Sequence, residues 1–255
     1  MINIKKLMNT YILLSTCIVC YSNTQSTVKI TEVKLATTKQ FKGPYEQGTI
    51  EFMNEYVRPK IPKEKKEVLK KRYENLFFHP VKENGIYYSN SRSKEKIYSG
   101  KWCKSGSELT EISKAKKKGD FCIEKNGKKY FQFSATWTIT DKEVKSFYVA
   151  DNQFVIETEN QIYIDKKDIN KHMAATETFF PRHFNDKPFF LATKNGKSYV
   201  VYDFEIQGNG YDLIFHYGCC EPSIMNPKTK ENGITFFAKK DGYWMFVTVE
   251  IKKVN

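Results

Sequence analysis

Between residues 131 and 139 the chain reads F-Q-F-S-A-T-W-T-I, with Phe131, Phe133, Ala135, Trp137 and Ile139 in one row and Gln132, Ser134, Thr136 and Thr138 in the other. Side chains alternate faces along an extended backbone, so this pattern predicts a half-buried β-strand with a heavy apolar inner row. Similar rows predict strands over residues 199–206 and 243–251. Residues 28–36 also alternate, with a phase slip at Thr31-Glu32 that implies a bulge. Their lysines suit an edge strand, where charge discourages pairing with foreign strands.

The punctuation between these runs is equally informative. Asn126-Gly127, Asn195-Gly196 and Asp241-Gly242 each lie between apolar or aromatic residues. Such dipeptides tolerate the positive φ values of tight hairpin turns. Their separations, 69 and 46 residues, are too unequal for a steady repeat, so three separate hairpins are expected. Asn84-Gly85 marks a further turn before Ile86-Tyr87-Tyr88. Residues 144–149, 153–157 and 161–164, separated by Asp151-Asn152 and Glu159-Asn160, predict an antiparallel meander. A short helix is expected within residues 166–177. Gly208, Gly210 and residues 211–217 begin the last meander, and 221–233, with Pro222 and Pro227, read as a long irregular loop. Residues 234–238 and 243–251 close the fold.

Residues 63–76 are the best helix candidate, with Val68, Leu69, Tyr73 and Leu76 forming a narrow apolar stripe in a basic surface. That stripe is too thin for membrane attachment, so packing against the sheet is expected. The predicted fold is mainly β, built of antiparallel hairpins and meanders (sandwich or open barrel-like) with a short N-terminal helical segment. Its organisation reads as a leader over 1–22, an α+β region with a basic helix and loop over 27–120, and an antiparallel β region over 121–255.

The leader reading rests on Lys5 and Lys6, the mostly apolar residues 7–21 and the small residue Ser22. It predicts a periplasmic or secreted protein. Thr16-Cys17 and Val19-Cys20 lack the small residue that precedes an acylated cysteine, which favours a cleaved leader over a lipoprotein anchor. No later stretch is long and apolar enough to span a bilayer.

In an exported chain, an even set of cysteines argues for disulfides. Cys103 and Cys122 form the expected pair. Cys219 and Cys220 are adjacent and either bridge each other or reach back to the first pair. Trp102 stands beside Cys103 and is expected to shield the bridge.

The formal net charge of +13 falls to +11 without Lys5 and Lys6. The excess is lysine, and arginine, the usual tool for bidentate phosphate and base recognition, is scarce. Together with export this argues against nucleic acid, and it fits an acidic protein partner, a glycan or an anionic surface. Lys114, Lys116, Lys117 and Lys118 crowd what reads as a solvated turn ending at Gly119-Asp120, and form the candidate contact. Trp137 lies on the apolar row and is expected in the core. Trp244 shares its row with Phe246, Thr248 and Glu250, which makes it the candidate for an exposed glycan-stacking ring.

Catalytic signatures are sparse. There is no glycine-rich phosphate loop, no H-E-x-x-H, no paired C-x-x-C and no nucleophile elbow. The string H-Y-G-C-C at 216–220 brings His216 near Cys219 and Cys220, a set with soft-metal or nucleophile–base potential. His172, Glu177, His183 and Asp186 form a second polar set that matches no standard zinc spacing. His79, beside Pro80, reads as structural. No cofactor is implied.

The leading expectation is therefore a secreted or periplasmic binding protein that recognises another macromolecule, such as an inhibitor or immunity-type partner of an exported enzyme. The alternatives are an exported hydrolase, metal-dependent or not, using His172, His183 or His216, and a carbohydrate-binding module built on Trp244.

Overall fold

The structure is a computed structural model that describes residues 26–37, 80–89, 98–109, 115–138, 144–216 and 226–253. The expected leader, His79 and the helix over 63–76 lie outside the described residues. The first strand is β1 (Ser26–Thr37). A five-stranded sheet follows, made in order of β2 (Val81–Glu83), β3 (Ile86–Tyr88), β4 (Tyr98–Leu109), β5 (Ala115–Lys125) and β6 (Lys128–Thr138). A second sheet contains β7 (Ser146–Ala150), β8 (Gln153–Glu157), β9 (Ile162–Ile164) and β10 (Lys167–Asp168), and leads into the short helix α1 (Ile169–Met173). A third is the meander β11 (Glu177–Phe184), β12 (Lys187–Lys194), β13 (Lys197–Tyr202) and β14 (Glu205–Tyr211). The fourth comprises β15 (Leu213–Ile214), β16 (Lys228–Lys230), β17 (Gly233–Lys240) and β18 (Tyr243–Lys253), and β1 pairs with β18 at its edge. All pairings are antiparallel. The mainly β fold of hairpins and stacked sheets expected from the sequence is the fold observed.

Turn chemistry explains much of this topology. Asn84-Gly85, Asn126-Gly127, Asn195-Gly196 and Asp241-Gly242 all have positive φ at both positions, as the primed two-residue hairpin turns require. The second helical expectation also holds. The Asp168 carboxylate accepts the Lys171 amide hydrogen at 3.0 Å, and Ala174 ends α1 in the left-handed region.

Three apolar clusters among the described residues join the sheets in chain order. Phe121, Ile123 and Phe133 of the first sheet meet Phe147, Phe154, Ile156 and Tyr163 of the second. The opposite side of the second sheet, with Tyr148, Val155, Ile162 and Ile164, meets Phe190, Ala192 and Val201 of the third. The other face of the third, with Phe189, Leu191, Val200 and Tyr202, meets Ile234, Phe236, Val247 and Val249 of the fourth. The two middle sheets are thus buried on both faces. Their strands accordingly read as unbroken apolar runs, F-V-I and F-F-L-A, instead of alternating.

Four expectations are revised. The run over residues 199–206 is two strands, because Asp203 and Phe204 adopt φ values of 51° and 65° and turn the chain from β13 into β14. The irregularity in β1 lies between Lys34 and Ala36 instead of at Thr31-Glu32. Glu32 follows Val28 and Ile30 in the alternation, where Tyr211 Oη donates to it at 2.8 Å and Lys240 Nζ approaches to 2.7 Å, while Val33 is left exposed. The lysine-rich turn is no turn: Lys116, Lys117 and Lys118 belong to β5, paired by β4 on one side and β6 on the other. Ladder hydrogen bonds on both sides outweigh the local repulsion that argued for a loop. Finally, the boundary expected at residue 120 falls inside that same strand.

Candidate binding groove

The β5–β6 ladder shifts register between Ile123 and Glu124, so Ile123 faces Phe131 while Glu124 faces Lys129 and Tyr130 is bulged out. Past the bulge, Phe131 and Phe133 point toward the second sheet, while Gln132 and Ser134 are exposed. Phe131, Phe133 and Ala135 thus follow the predicted inner row, whose Trp137 side chain and Ile139 lie outside the described residues. The Phe133 and Tyr163 rings lie 4.2 Å apart between centroids, and Phe131 sits 5.6 Å from Tyr163 and 5.8 Å from Phe154. Beyond β9 the chain turns through β10 into α1 and carries Lys166, Lys167, Lys171 and His172 around the end of this aromatic row. The result is an open groove of about 510 Å³, lined by Phe131, Phe133, Tyr163, Lys166, Lys167, Asp168, Lys171 and His172.

The charge at this groove is unbalanced. Some lysines elsewhere meet carboxylates, as in Lys101–Glu124, Lys187–Asp203 and Lys240–Glu32, and others meet rings, as Lys34 does over Tyr243 and Lys239 over Trp244. Among the described residues none of Lys166, Lys167 and Lys171 has a carboxylate within ion-pair distance. Aromatic faces position two of them instead: Lys166 Nζ lies 4.0 Å above the Tyr130 ring and Lys167 Nζ 4.7 Å above Phe204. Tyr130 is pushed up to about 12, first by its hydrogen bond to Asp165. The lining carboxylate, Asp168, caps α1 through one oxygen. The groove thus brings three lysines and one carboxylate to the edge of an apolar floor, an excess of positive charge. It suits an anion with an apolar part.

The residues singled out in the sequence are scattered over the molecule. Lys114 lies outside the described residues, as do the side chains of Lys116, Lys117, Lys118 and Trp137. Cys103 and Cys122 are bonded across β4 and β5, with Cα atoms 5.8 Å apart. Trp102 packs edge-on against Phe121 at 5.0 Å, on the core. Cys219 and Cys220 lie outside the described residues.

Trp244, expected to be exposed, is 2% accessible. Its face of β18 changes character along the strand. At its start the Phe215 ring stacks on Trp244 at 5.4 Å and Lys239 Nζ lies 5.0 Å over it, whereas Glu250 at the far end is exposed. It is no stacking platform for a sugar.

His216 has acceptors at both nitrogens, Ile214 O at 2.9 Å from Nδ1 and Glu177 Oε1 at 3.0 Å from Nε2, and its ring stacks 3.5 Å from Phe179. Both ring nitrogens thus face internal oxygens, and which of them donates depends on the tautomer. The second polar set does not converge either. Glu177 is engaged with His216, and His172 stands edge-on to Phe204 at 5.4 Å. His183 Nδ1 and Tyr148 Oη share a hydrogen bond of 3.1 Å whose direction depends on the tautomer, and burial lowers the His183 pKa to about 4. Burial likewise pushes the Tyr148 hydroxyl far up. Among the described residues no group of three or more His, Cys, Asp or Glu side chains is placed to hold a metal.

A further polar cluster is buried where β11 bulges. Glu157 accepts hydrogen bonds from the Phe180 amide at 2.7 Å and from Ser146 Oγ at 3.1 Å, and Arg182 donates to Thr229 Oγ1 and to Pro181 O. These bonds hold Phe180 at a φ of 58°. The cluster anchors the bulge.

Sequence reasoning missed the groove. Its lysines are inconspicuous in a chain this basic, and its floor needs β6 and β9 to be neighbours in space. A usable signal was the sequence D-K-K-D-I-N-K-H directly after a fully apolar strand. Among the described residues no helix is long and apolar enough to cross a membrane. No family model, curated protein or solved structure matches this chain.

Proposed function

We propose that this chain is an exported binding protein that holds an acidic macromolecular partner at the groove between β6, β9 and α1. The observation that carries the proposal is the set of three lysines that have no carboxylate partner among the described residues and line a groove with an aromatic floor. Binding is favoured over hydrolysis because His183 and His216 are each committed to internal hydrogen bonds, and His172 stands apart from both. A glycan-binding module built on Trp244 loses its ring to the core. The Cys103–Cys122 bridge suits an oxidising compartment, in keeping with the leader-like N-terminus. An inhibitor or immunity-type partner of an exported enzyme fits this chemistry, because such pairs associate through opposed charge.

The test is fluorescence anisotropy with labelled polyglutamate as a minimal acidic partner. Binding should weaken with rising salt, and Lys166→Glu/Lys171→Glu should reduce it by about tenfold or more, as removal of close charge partners does at charged interfaces. Equal affinity for the double variant would take the groove out of the contact.

A further inference from the structure

The floor of the groove restricts what kind of acid can occupy it. A purely ionic ligand would leave Phe131 covered by water. We infer that the recognised element is an acidic protein segment carrying an aromatic side chain, whose ring rests on Phe131 while flanking carboxylates meet Lys166, Lys167 and Lys171. This inference rests on the binding proposal above and narrows its ligand.

Three features favour that occupant. The accessible part of the floor is small, because Phe133 and Tyr163 are 7% and 5% exposed and only Phe131 is half-buried. It is matched to one ring, and one ring on another in offset or edge geometry is favourable beyond the area it covers. Lys166, Lys167 and Lys171 line the same groove as this patch, so the matching negative charges flank a single ring. The lining side chains offer few hydrogen-bond acceptors beyond the Asp168 carboxylate and the Tyr163 hydroxyl.

The last feature weighs against a sulfated or carboxylated glycan, whose many hydroxyl donors would be left unpaired on an apolar floor. A single-stranded nucleic acid needs successive stacking rings along a basic channel, and the groove offers one patch. An anionic bilayer is engaged by rings that protrude, whereas Phe133 and Tyr163 are recessed.

The experiment compares four labelled probes on the full chain: a glutamate–tyrosine copolymer, polyglutamate of equal length, heparin and oligo-dT. The copolymer should bind about tenfold tighter than polyglutamate and tighter than heparin or oligo-dT. Phe131→Leu, which keeps apolar volume but removes the flat ring, should abolish the copolymer's advantage. Lys166→Glu/Lys171→Glu changes only exposed charges, keeps the fold by circular dichroism, and should weaken the copolymer by about tenfold or more. Equal binding of copolymer and polyglutamate, both lost in the lysine variant, would overturn the aromatic requirement and leave the acidic partner standing. Tighter binding of heparin or oligo-dT would overturn the choice of partner. Copolymer binding that the lysine variant does not change would overturn both.

Discussion

The junction between the first two sheets and the junction between the last two are made of the same material, aromatic rows on antiparallel hairpins, and end differently. In the latter, Phe189, Leu191 and Val200 mesh with Phe236, Val247 and Val249, all at 0% or 1% exposure, and the rows close completely. In the former, Phe121, Phe147, Phe154 and Ile156 close one end, but Phe131, packed against Phe154 and Tyr163, stays half-buried at a groove that lysines line. Lys240 beside the closed junction meets Glu32, while Lys166 and Lys167 at the groove meet rings. A core that stops short of completion leaves apolar surface for a partner, and unpaired cations beside it specify the partner's sign.

The largest test of this contrast is truncation of a ring on each side. Phe236→Ala should cost about 3–5 kcal/mol, because the closed junction cannot collapse around the cavity. Trp244→Ala should behave in the same way and leave any glycan affinity where it was. Phe131→Ala should cost only about 1–2 kcal/mol, since its ring is already partly in water. Guanidinium denaturation of the three variants measures the difference, and equal losses for Phe131 and Phe236 would make the groove part of the closed core.

The incomplete half carries the covalent clamp. Cys103 and Cys122 are separated by 19 residues, and closing such a loop in the unfolded chain is worth roughly 3 kcal/mol. Cys103→Ala/Cys122→Ala should lower stability by about that much and lower the unfolding midpoint accordingly. Should the double variant match the parent, the pairing of β4 and β5 would already constrain the unfolded chain.

These two tests also separate what the sequence could foretell from what it could not. Asn-Gly and Asp-Gly turns are local, since two residues with positive φ dictate the reversal wherever they occur. The bridge was accessible as well, because few cysteines outside the leader leave few pairings. Trp244 misled because alternation assigns one character to a whole face, whereas β18 is covered at one end and open at the other. Lys116, Lys117 and Lys118 misled because ladder bonds from strands on both sides decide against local repulsion. His216 and Glu177, 39 residues apart, meet only through the third and fourth sheets. The groove was hidden for the same reason, as Phe131 and Lys166 are joined by tertiary packing alone.

Between the halves, His183 of β11 reaches Tyr148 of β7. Its ordinary value of 6.5 is lowered to about 4, first by burial, with Asp151 and Asp186 opposing more weakly. The unfolded imidazole therefore gains its proton near pH 6.5, while the folded one stays neutral until about pH 4. The stabilisation is fully present above pH 6.5 and is lost as pH falls toward 4, a change of roughly 2–3 kcal/mol. His183→Phe should flatten that part of the stability–pH curve measured by urea unfolding. A parent curve with no loss between pH 6.5 and 4 would contradict the burial of this ring.

The smallest effects on stability should fall on the lysines. Lys240→Ala removes the partner of Glu32, a residue that also accepts from the Tyr211 hydroxyl, and should cost about 0.5–1 kcal/mol. Lys171→Ala removes a cation that no carboxylate among the described residues holds, from a rim that Lys166 and Lys167 also line, and should change stability by no more than about 0.5 kcal/mol in either direction. Added salt sharpens the distinction. Screening weakens the Lys240 pair and shrinks its cost, whereas at the groove it relieves repulsion among like charges, so the parent chain converges on the variant. Thermal melting of both variants at low and high salt reads these signs directly. A loss at Lys171 as large as that at Lys240 would mean that an internal anion already serves the groove, and its lysines would no longer be open to a partner.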